Sequence, residues 1–157
     1  MTTITDSAMG EWLAESLADP RVAWGEWRSG SFAMLPAGVR FDAVRISGEL
    51  VHAVVGDSVH DGVAAWLTGG LAGPVICDTG HWYYALLPPG STGMWPSGLV
   101  RRLGRGAWVG VPRPDLTGHT GLHWCVPMTY PAVLCDTGAV SALIERGHGR
   151  LAGKGRG

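Results

Sequence analysis

The stretch from Gly73 to Ser91, GPVICDTGHWYYALLPPGS, constrains the fold of this chain more than any other. It holds two short apolar segments, Pro74 to Cys77 and Trp82 to Leu87, on either side of Asp78-Thr79-Gly80. Asp, Thr and Gly favour turns, and Pro88-Pro89-Gly90 ends the second segment. The pattern predicts a buried β-hairpin, and we expect the other elements to pack around it.

Patterns typical of helices and of strands are interspersed along the rest of the chain. Apolar stripes at helical spacing predict helices, and runs with alternating or continuous apolar residues predict strands. We predict helices over Ser7 to Ala18, over Ser58 to Leu67 with a Ser58–Asp61 capping box, and from Asp136 or Thr137 to Gly147. We predict further strands over Ser31 to Leu35, Val39 to Ile46, Ala107 to Val111 and Leu122 to Val126, while Glu49 to Val55 fits either type.

This mixture predicts an α+β domain with a mostly antiparallel sheet flanked by helices. In the strand over Val39 to Ile46, we expect Phe41 to point inward and Arg40 and Asp42 to lie on the other face. The domain is expected to span residues 1–146, and the glycine-rich, basic residues 147–157 to form a disordered tail.

Composition and charge narrow the class of protein. A chain of 157 residues that is 46% hydrophobic and contains eight tryptophans can bury a substantial core as one domain. Nine acidic and four basic residues occur through Asp61, whereas four acidic and eight basic residues follow it. We therefore expect any anion-binding face to come from the second half of the chain.

Cysteine usage and hydropathy predict where the protein resides. Cys77, Cys125 and Cys135 lie in apolar segments, are odd in number and form no Cys-x-x-Cys pair, which favours reduced buried thiols. The N-terminus lacks the pattern of a secretory signal. No apolar run approaches the ~20 residues that a membrane helix needs. We expect a cytoplasmic protein that does not act in a membrane.

The sequence Asp-Thr-Gly occurs twice, beginning at Asp78 and at Asp136. The second copy resembles the active-site turn of retroviral-type aspartic proteases, in which two carboxylates share a proton. A protease lobe would need many more strands after Asp136 than this chain provides. An ordinary turn and a helix cap are the preferred interpretation.

The histidines offer one pair with a spacing that suits a metal. His119 and His123 stand four apart, and Cys125 is a candidate third ligand. Gly121 interrupts the segment, which is predicted to be a loop running into a strand, so the two rings are not expected to converge. The sequence predicts no metal site.

The segment Gly80-His81-Trp82-Tyr83-Tyr84 resembles the Gly-x-His-x-Tyr-Phe motif of the bifunctional DNA primase/polymerase N-terminal (prim-pol) family. Downstream, the run from Arg102 to Pro112, RLGRGAWVGVP, resembles that family's Arg-Gly-x-Gly-Gly-Tyr-Val-Val-x-Pro-Pro segment. Leu35 to Asp42 and Leu87 to Gly90 look like small actinobacterial members of the family. The resemblance covers the chain in order from about residue 10 to residue 146.

The resemblance implies an archaeo-eukaryotic-primase-like fold with an RRM-like core, in which carboxylates bind divalent metals and the histidine contacts a nucleoside triphosphate. Here Asp42 is followed by Ala43-Val44, so the second acid of the family's Asp-x-Asp is missing. The acid expected before the Arg-Gly segment is replaced by Leu99-Val100. Two-metal chemistry needs several converging oxygen ligands.

We therefore expect a catalytically degenerate member without polymerase activity, in which Asp42 and His81 are vestiges of the catalytic site. No cofactor is predicted, and Mg²⁺ would bind only if the site were intact. The expected ligand is single-stranded nucleic acid or a nucleotide. The residues expected to bind it are Arg101, Arg102, Arg105 and Arg113, with Trp108 or Trp82 as a stacking surface.

An alternative function is a non-catalytic interaction module. Exposed tryptophans such as Trp24, Trp27 and Trp95 would then contact another protein or a second copy of this chain.

Overall fold

The computed structural model describes residues 4–91, 98–118 and 120–155, which form five helices and seven strands. The predicted α+β class is confirmed. The helices are α1 (Ile4–Ala14), α2 (Pro20–Ser29), α3 (Gly48–Val55), α4 (His60–Leu71) and α5 (Thr137–Gly155). The strands are β1 (Phe32–Pro36), β2 (Asp42–Ser47), β3 (Val75–Asp78), β4 (Trp82–Leu87), β5 (Val100–Leu103), β6 (Trp108–Pro112) and β7 (Leu122–Val126).

The predicted hairpin is present as β3 and β4, and β4 is the middle strand of the main sheet. This sheet has the order β5-β2-β4-β3-β7, and each neighbouring pair is antiparallel. Asp78 pairs with Trp82, and the turn between them uses left-handed backbone at Thr79 and Gly80. Strands β1 and β6 pair separately as a two-stranded antiparallel ribbon.

The main sheet is covered on both faces, which gives the domain three layers. On one face, called the helix face below, Val44 and Ile46 pack with residues of α3, α4 and α5. On the opposite face, called the ribbon face, Ala43 and Leu86 pack with α1, α2 and the β1–β6 ribbon. Alternate residues of one strand therefore enter different cores.

Asp42 follows the predicted alternation but not the predicted exposure. It lies on the opposite face from Phe41, as expected, yet only 1% of Asp42 is exposed because helices cover that face too. A sheet covered on both sides buries most of the residues of its central strands.

Helix α5 continues through Gly147, where the sequence predicted an end and a disordered tail. A Cβ at Gly147 would lie 2.2 Å from Leu50 Cδ2, so the glycine allows α5 to pack closely against α3. Further along α5, the Arg150 guanidinium donates to the Ala53 carbonyl at 3.3 Å. Packing against α3 thus overrides the weak helix propensity of glycine.

Three other boundaries differ from the predictions. Helix α1 begins earlier and ends at Ala14, and Asp19-Pro20 begins α2: the Asp19 carboxylate accepts from Arg21 N and Pro20 occupies the first turn. The Ser58–Asp61 capping box is absent, since α4 starts after Val59 without a side-chain cap. The ambiguous segment from Glu49 is helix α3, which is capped by the Ser47 side chain.

Candidate nucleic-acid interface

Three polar side chains stand side by side on the ribbon face of the main sheet. Arg45 on β2 is the cross-strand partner of both Arg101 on β5 and Tyr84 on β4. Directly paired residues of an antiparallel sheet point to the same face, with Cβ atoms about 4.5–5.5 Å apart. The two arginine side chains therefore leave the sheet next to each other, and like charges in this arrangement are destabilising.

This row forms the floor of an open cleft of about 420 Å³ between the main sheet and the ribbon. We call it the sheet cleft. Trp108 stands at its wall and is 56% exposed, and Met34 lies beside it with a partly exposed side chain. The remaining lining residues are Leu103, Ala107, Val109 and Gly110. The cleft thus combines positive charge with exposed apolar and aromatic surface.

Arg45 is held in place by aromatic rings. Its Cζ atom lies 4.2 Å from the centroid of the Trp82 ring, a cation–π contact, and Tyr84 is its direct cross-strand partner. Arg45 Nε is buried and has no hydrogen-bond partner within the described ranges. Burial raises the pKa of Tyr84, with Arg45 opposing and Asp78 reinforcing the shift, so the phenol stays protonated and neutral at physiological pH.

Of the six residues predicted to bind nucleic acid, Arg101 and Trp108 line the sheet cleft, and Trp82 contacts Arg45, another of its lining residues. Arg102 lies on the helix face, where it pairs with Asp42 at 3.3 Å. Arg105 is exposed in the turn between β5 and β6. Arg113 follows the far end of β6, forms an ion pair with Asp115 at 3.1 Å and borders a separate small cleft. Arg101 and Arg102 are separated because adjacent strand residues face opposite ways. The binding role of these residues stays a prediction.

The two residues predicted as vestigial catalytic groups are not brought together. Asp42 pairs with Leu87 at one end of β4, whereas His81 precedes Trp82 at the other end. Six residues of strand place them about 20 Å apart. The Asp42 carboxylate instead accepts hydrogen bonds from Gly90 N at 3.0 Å and from Arg102. No group of three or more candidate metal-ligating residues converges within residues 4–91, 98–118 and 120–155.

The two Asp-Thr-Gly copies also lie apart. Asp78 ends β3 next to Trp82, while Cys135, just before Asp136, donates its backbone N–H to Leu86 at the opposite end of β4. Asp136 Oδ2 accepts from Ala139 N at 2.9 Å and so caps the start of α5. The turn-and-cap interpretation agrees with these contacts, and no paired carboxylates of a protease are formed.

The cysteines are buried and free, in agreement with reduced thiols. Burial raises the pKa values of Cys125 and Cys135 to about 12, and the pKa of Cys77 is raised for the same reason. These thiols are protonated at neutral pH and are poor nucleophiles. His119, which stands four residues before His123 and was considered with it as a metal ligand, lies outside the described residues.

Trp24 and Trp27, two tryptophans of the alternative hypothesis, do not form an exposed surface. Trp27 is buried and donates its ring N–H to the Val111 carbonyl at 2.9 Å, and Trp24 packs edge-on against it. Trp95 lies outside the described residues. Exposed apolar side chains occur instead on the outer face of the ribbon, at Phe32, Met34 and Trp108.

Sequence reasoning missed Arg45 and Tyr84 as members of one site. Both lie in predicted strands, and alternation alone places Arg45 on the face opposite Val44. Their proximity depends on the registers β2–β4 and β2–β5, and strand β5 itself was not predicted. A search for like-charged residues on neighbouring strands would have found the pair once β5 was known.

Comparisons of the chain with protein-family models, with curated proteins and with solved structures gave no significant match. The resemblance to the prim-pol family therefore stays a prediction from short motifs. Among the residues that the structure describes, no helix is long and apolar enough to cross a membrane.

Proposed function

We propose that this protein binds single-stranded nucleic acid in the sheet cleft and does not catalyse nucleotidyl transfer. The observation that carries the proposal is the cross-strand pair of Arg45 and Arg101 beside the exposed Trp108 ring. Cationic side chains that track phosphates, together with aromatic rings on which bases stack, are the two components of single-strand binding.

The arrangement of the arginines favours an anionic ligand. Two like charges directly opposite on a sheet destabilise the fold, and a phosphate between them would relieve the repulsion and accept charge-assisted hydrogen bonds. Trp82 orients Arg45 through the cation–π contact, and we expect the terminal nitrogens of Arg45 to bind the ligand. A base on Trp108 and a phosphate on Arg45 and Arg101 would then belong to one bound strand.

The absence of polymerase activity follows from the distribution of acids. Asp42 is bonded to Arg102 and lies about 20 Å from His81 along β4. Metal-dependent phosphoryl transfer needs oxygen ligands that meet at one point. We expect no primer extension with Mg²⁺ or Mn²⁺.

The test is fluorescence anisotropy with a labelled single-stranded DNA oligonucleotide at about 50 mM and about 200 mM salt. We expect the wild type to bind more weakly at the higher salt. The double variant Arg45→Ala/Arg101→Ala should bind at least tenfold more weakly than wild type at the lower salt. Arg146→Ala, which removes an exposed arginine of α5 beyond the opposite face of the sheet, is the matched control.

Equal binding by wild type and the double variant would contradict the proposal, as would binding that is insensitive to salt. Circular dichroism of each variant shows whether the fold is retained. Competition with an unlabelled nucleoside triphosphate distinguishes a mononucleotide from a strand: a strand ligand predicts weak competition. A ligand of this kind, together with reduced thiols, fits the cytoplasmic location that the sequence predicts.

A second candidate function has its own observation. Phe32, Met34 and Trp108 form an apolar surface on the ribbon that fits a protein partner or a second copy of the chain. Light scattering after size exclusion tests self-association. A monomer at all concentrations that binds DNA would favour the first function, and a dimer lost in Phe32→Glu would favour the second.

A further inference from the structure

His60 and His123 bring two imidazole nitrogens together away from the sheet cleft. His60 is the first residue of α4 and His123 lies on β7 opposite Cys77, on the helix face. Their Nε2 atoms are 3.0 Å apart, with ring centroids 5.1 Å apart and planes inclined by 38°. His123 is only 1% exposed. The two side chains therefore meet at the edge of the core.

The other nitrogen of each ring is anchored by an acceptor. His123 Nδ1 lies 3.0 Å from the Gly121 carbonyl oxygen, which can only accept, so Nδ1 carries the proton. His60 Nδ1 lies 3.4 Å from the Asp61 carboxylate, which likewise accepts. In the neutral rings the lone pairs are then on the two Nε2 atoms, 3.0 Å apart, and neither atom has a proton to share. A cation bound by both lone pairs would remove the repulsion between them.

We propose that His60 and His123 bind a divalent transition metal ion through their Nε2 atoms. An imidazole whose second nitrogen donates to a carbonyl or a carboxylate is the usual arrangement of a metal-bound histidine. Neutral imidazole suits Zn²⁺, Cu²⁺ and Ni²⁺ rather than Mg²⁺ or Ca²⁺. This site is therefore distinct in position and in chemistry from the carboxylate site of the resembled family.

The spacing of the nitrogens is close to that of two ligands on one ion. Zn–N bonds of about 2.0–2.1 Å at a tetrahedral angle place two nitrogens about 3.3 Å apart. Cis ligands at a right angle, as in square-planar Cu²⁺, are about 3.0 Å apart. Small ring rotations on α4 and β7 would accommodate either ion. Within the described ranges, no third His, Cys, Asp or Glu converges on the two histidines.

The experiment is a titration of the full chain, free of affinity tags and treated with EDTA before buffer exchange, with ZnCl₂ against a chromophoric chelator. We expect one Zn²⁺ per chain, and at least tenfold weaker binding in His60→Ala and in His123→Gln. His81→Ala removes an exposed histidine elsewhere and should bind as the wild type does. The NMR signals of His60 and His123 should shift on addition of Zn²⁺.

Circular dichroism identifies any variant that fails to fold, and His60→Ala is expected to fold because His60 lies at a helix start. The proposal is overturned if the wild type binds no Zn²⁺ at about 100 μM, or if His60→Ala binds as tightly as the wild type. The proposal is also overturned if the two histidine rings share a proton and bind no metal. A shared proton would appear as histidine signals that respond to pH and not to Zn²⁺.

Discussion

Arg101 and Arg102 are neighbours in sequence and lie on opposite faces of the same strand in contrasting surroundings. Arg101 faces the sheet cleft beside Arg45, another cation. Arg102 faces the helix side, where its guanidinium pairs with the buried carboxylate of Asp42. Arg101 thus lies next to a like charge, whereas Arg102 lies next to a compensating charge.

The contrast teaches that the strand period, rather than clustering in sequence, decides which cations are available to a ligand. A compensated arginine stabilises the fold and has little to offer a phosphate. A pair of like charges has the opposite effects: it weakens the sheet and attracts an anion. Tyr83 and Tyr84 on β4 divide in the same way, since Tyr83 bonds His52 on the helix face and Tyr84 pairs across the strands with Arg45 on the ribbon face.

The largest effect is expected for Arg102→Ala, which tests whether the arginine on the helix face stabilises the fold. It leaves the Asp42 carboxylate buried with one donor, Gly90 N, and Asp42 Oδ1 already has no partner in the described part of the chain. Arg102 is itself 40% exposed, so we expect a loss of about 2–3 kcal/mol in the free energy of unfolding, below the cost for a fully buried pair. Urea denaturation measures it.

The control for this change is the double variant Asp42→Asn/Arg102→Ala. It should recover part of the stability because a neutral amide costs less to bury unpaired than a carboxylate does. Binding of single-stranded DNA by Arg102→Ala should match that of the wild type. An unchanged free energy of unfolding would contradict the structural role of Arg102. Loss of DNA binding with stability unchanged would show that Arg102, like Arg101, binds the ligand.

The second effect tests the ribbon side alone. Trp108→Ala should weaken DNA binding by about 1–2 kcal/mol, within the range for loss of a base-stacking ring. Because Trp108 is more than half exposed, stability should change by no more than about 0.5 kcal/mol. Anisotropy and urea denaturation give the two values. Tyr130→Ala, which removes another highly exposed aromatic ring, serves as the control and should change neither.

A third, smaller effect distinguishes phosphate contact from stacking. Arg101→Ala should reduce the slope of log affinity against log salt by about 0.7, the value for one phosphate contact on a single strand. Trp108→Ala should leave that slope unchanged while lowering the affinity. If Arg101→Ala lowers affinity without changing the slope, the guanidinium does not contact a phosphate.

Much of the fold could be predicted from local patterns. The β3–β4 hairpin, the strands at β1, β2, β6 and β7 and the α+β class follow from turn residues and apolar runs. Helix α2 and strand β5 were missed, because Asp19-Pro20 was interpreted as the end of the first helix, whereas it begins α2, and because β5 carries two arginines among four residues. The helical continuation of α5 past Gly147 depends on its contact with Leu50, which no local pattern encodes.

The candidate site was predictable only in part, for a similar reason. Composition directed attention to arginines in the second half of the chain, and Arg101 and Trp108 line the cleft. Arg45 comes from the acidic first half and joins them through strand pairing across 56 residues of sequence. The separation of Asp42 from His81 is likewise a property of the register, since both residues stand close to predicted strands.

The smallest expected effect concerns pH and the helix face. Burial lowers the pKa of His52, whose Nε2 lies 2.9 Å from the Tyr83 hydroxyl. The unfolded chain then binds this proton more readily than the folded chain does. The contribution to stability is therefore present above about pH 6.5 and is lost as the pH falls through the lower folded-state value. Tyr84 on the ribbon face, with its pKa raised, adds nothing in this range.

Replacing His52 with Gln keeps an acceptor for the Tyr83 hydroxyl and removes the titration. We expect the melting temperature of His52→Gln to fall less than that of the wild type between pH 7.5 and pH 5.5, by about 1–3 °C. Other histidines titrate in both proteins and cancel in the difference. If the melting temperatures of the two proteins change with pH in parallel, His52 is solvated as well in the folded chain as in the unfolded one. The helix face and the ribbon face then do not differ in titration.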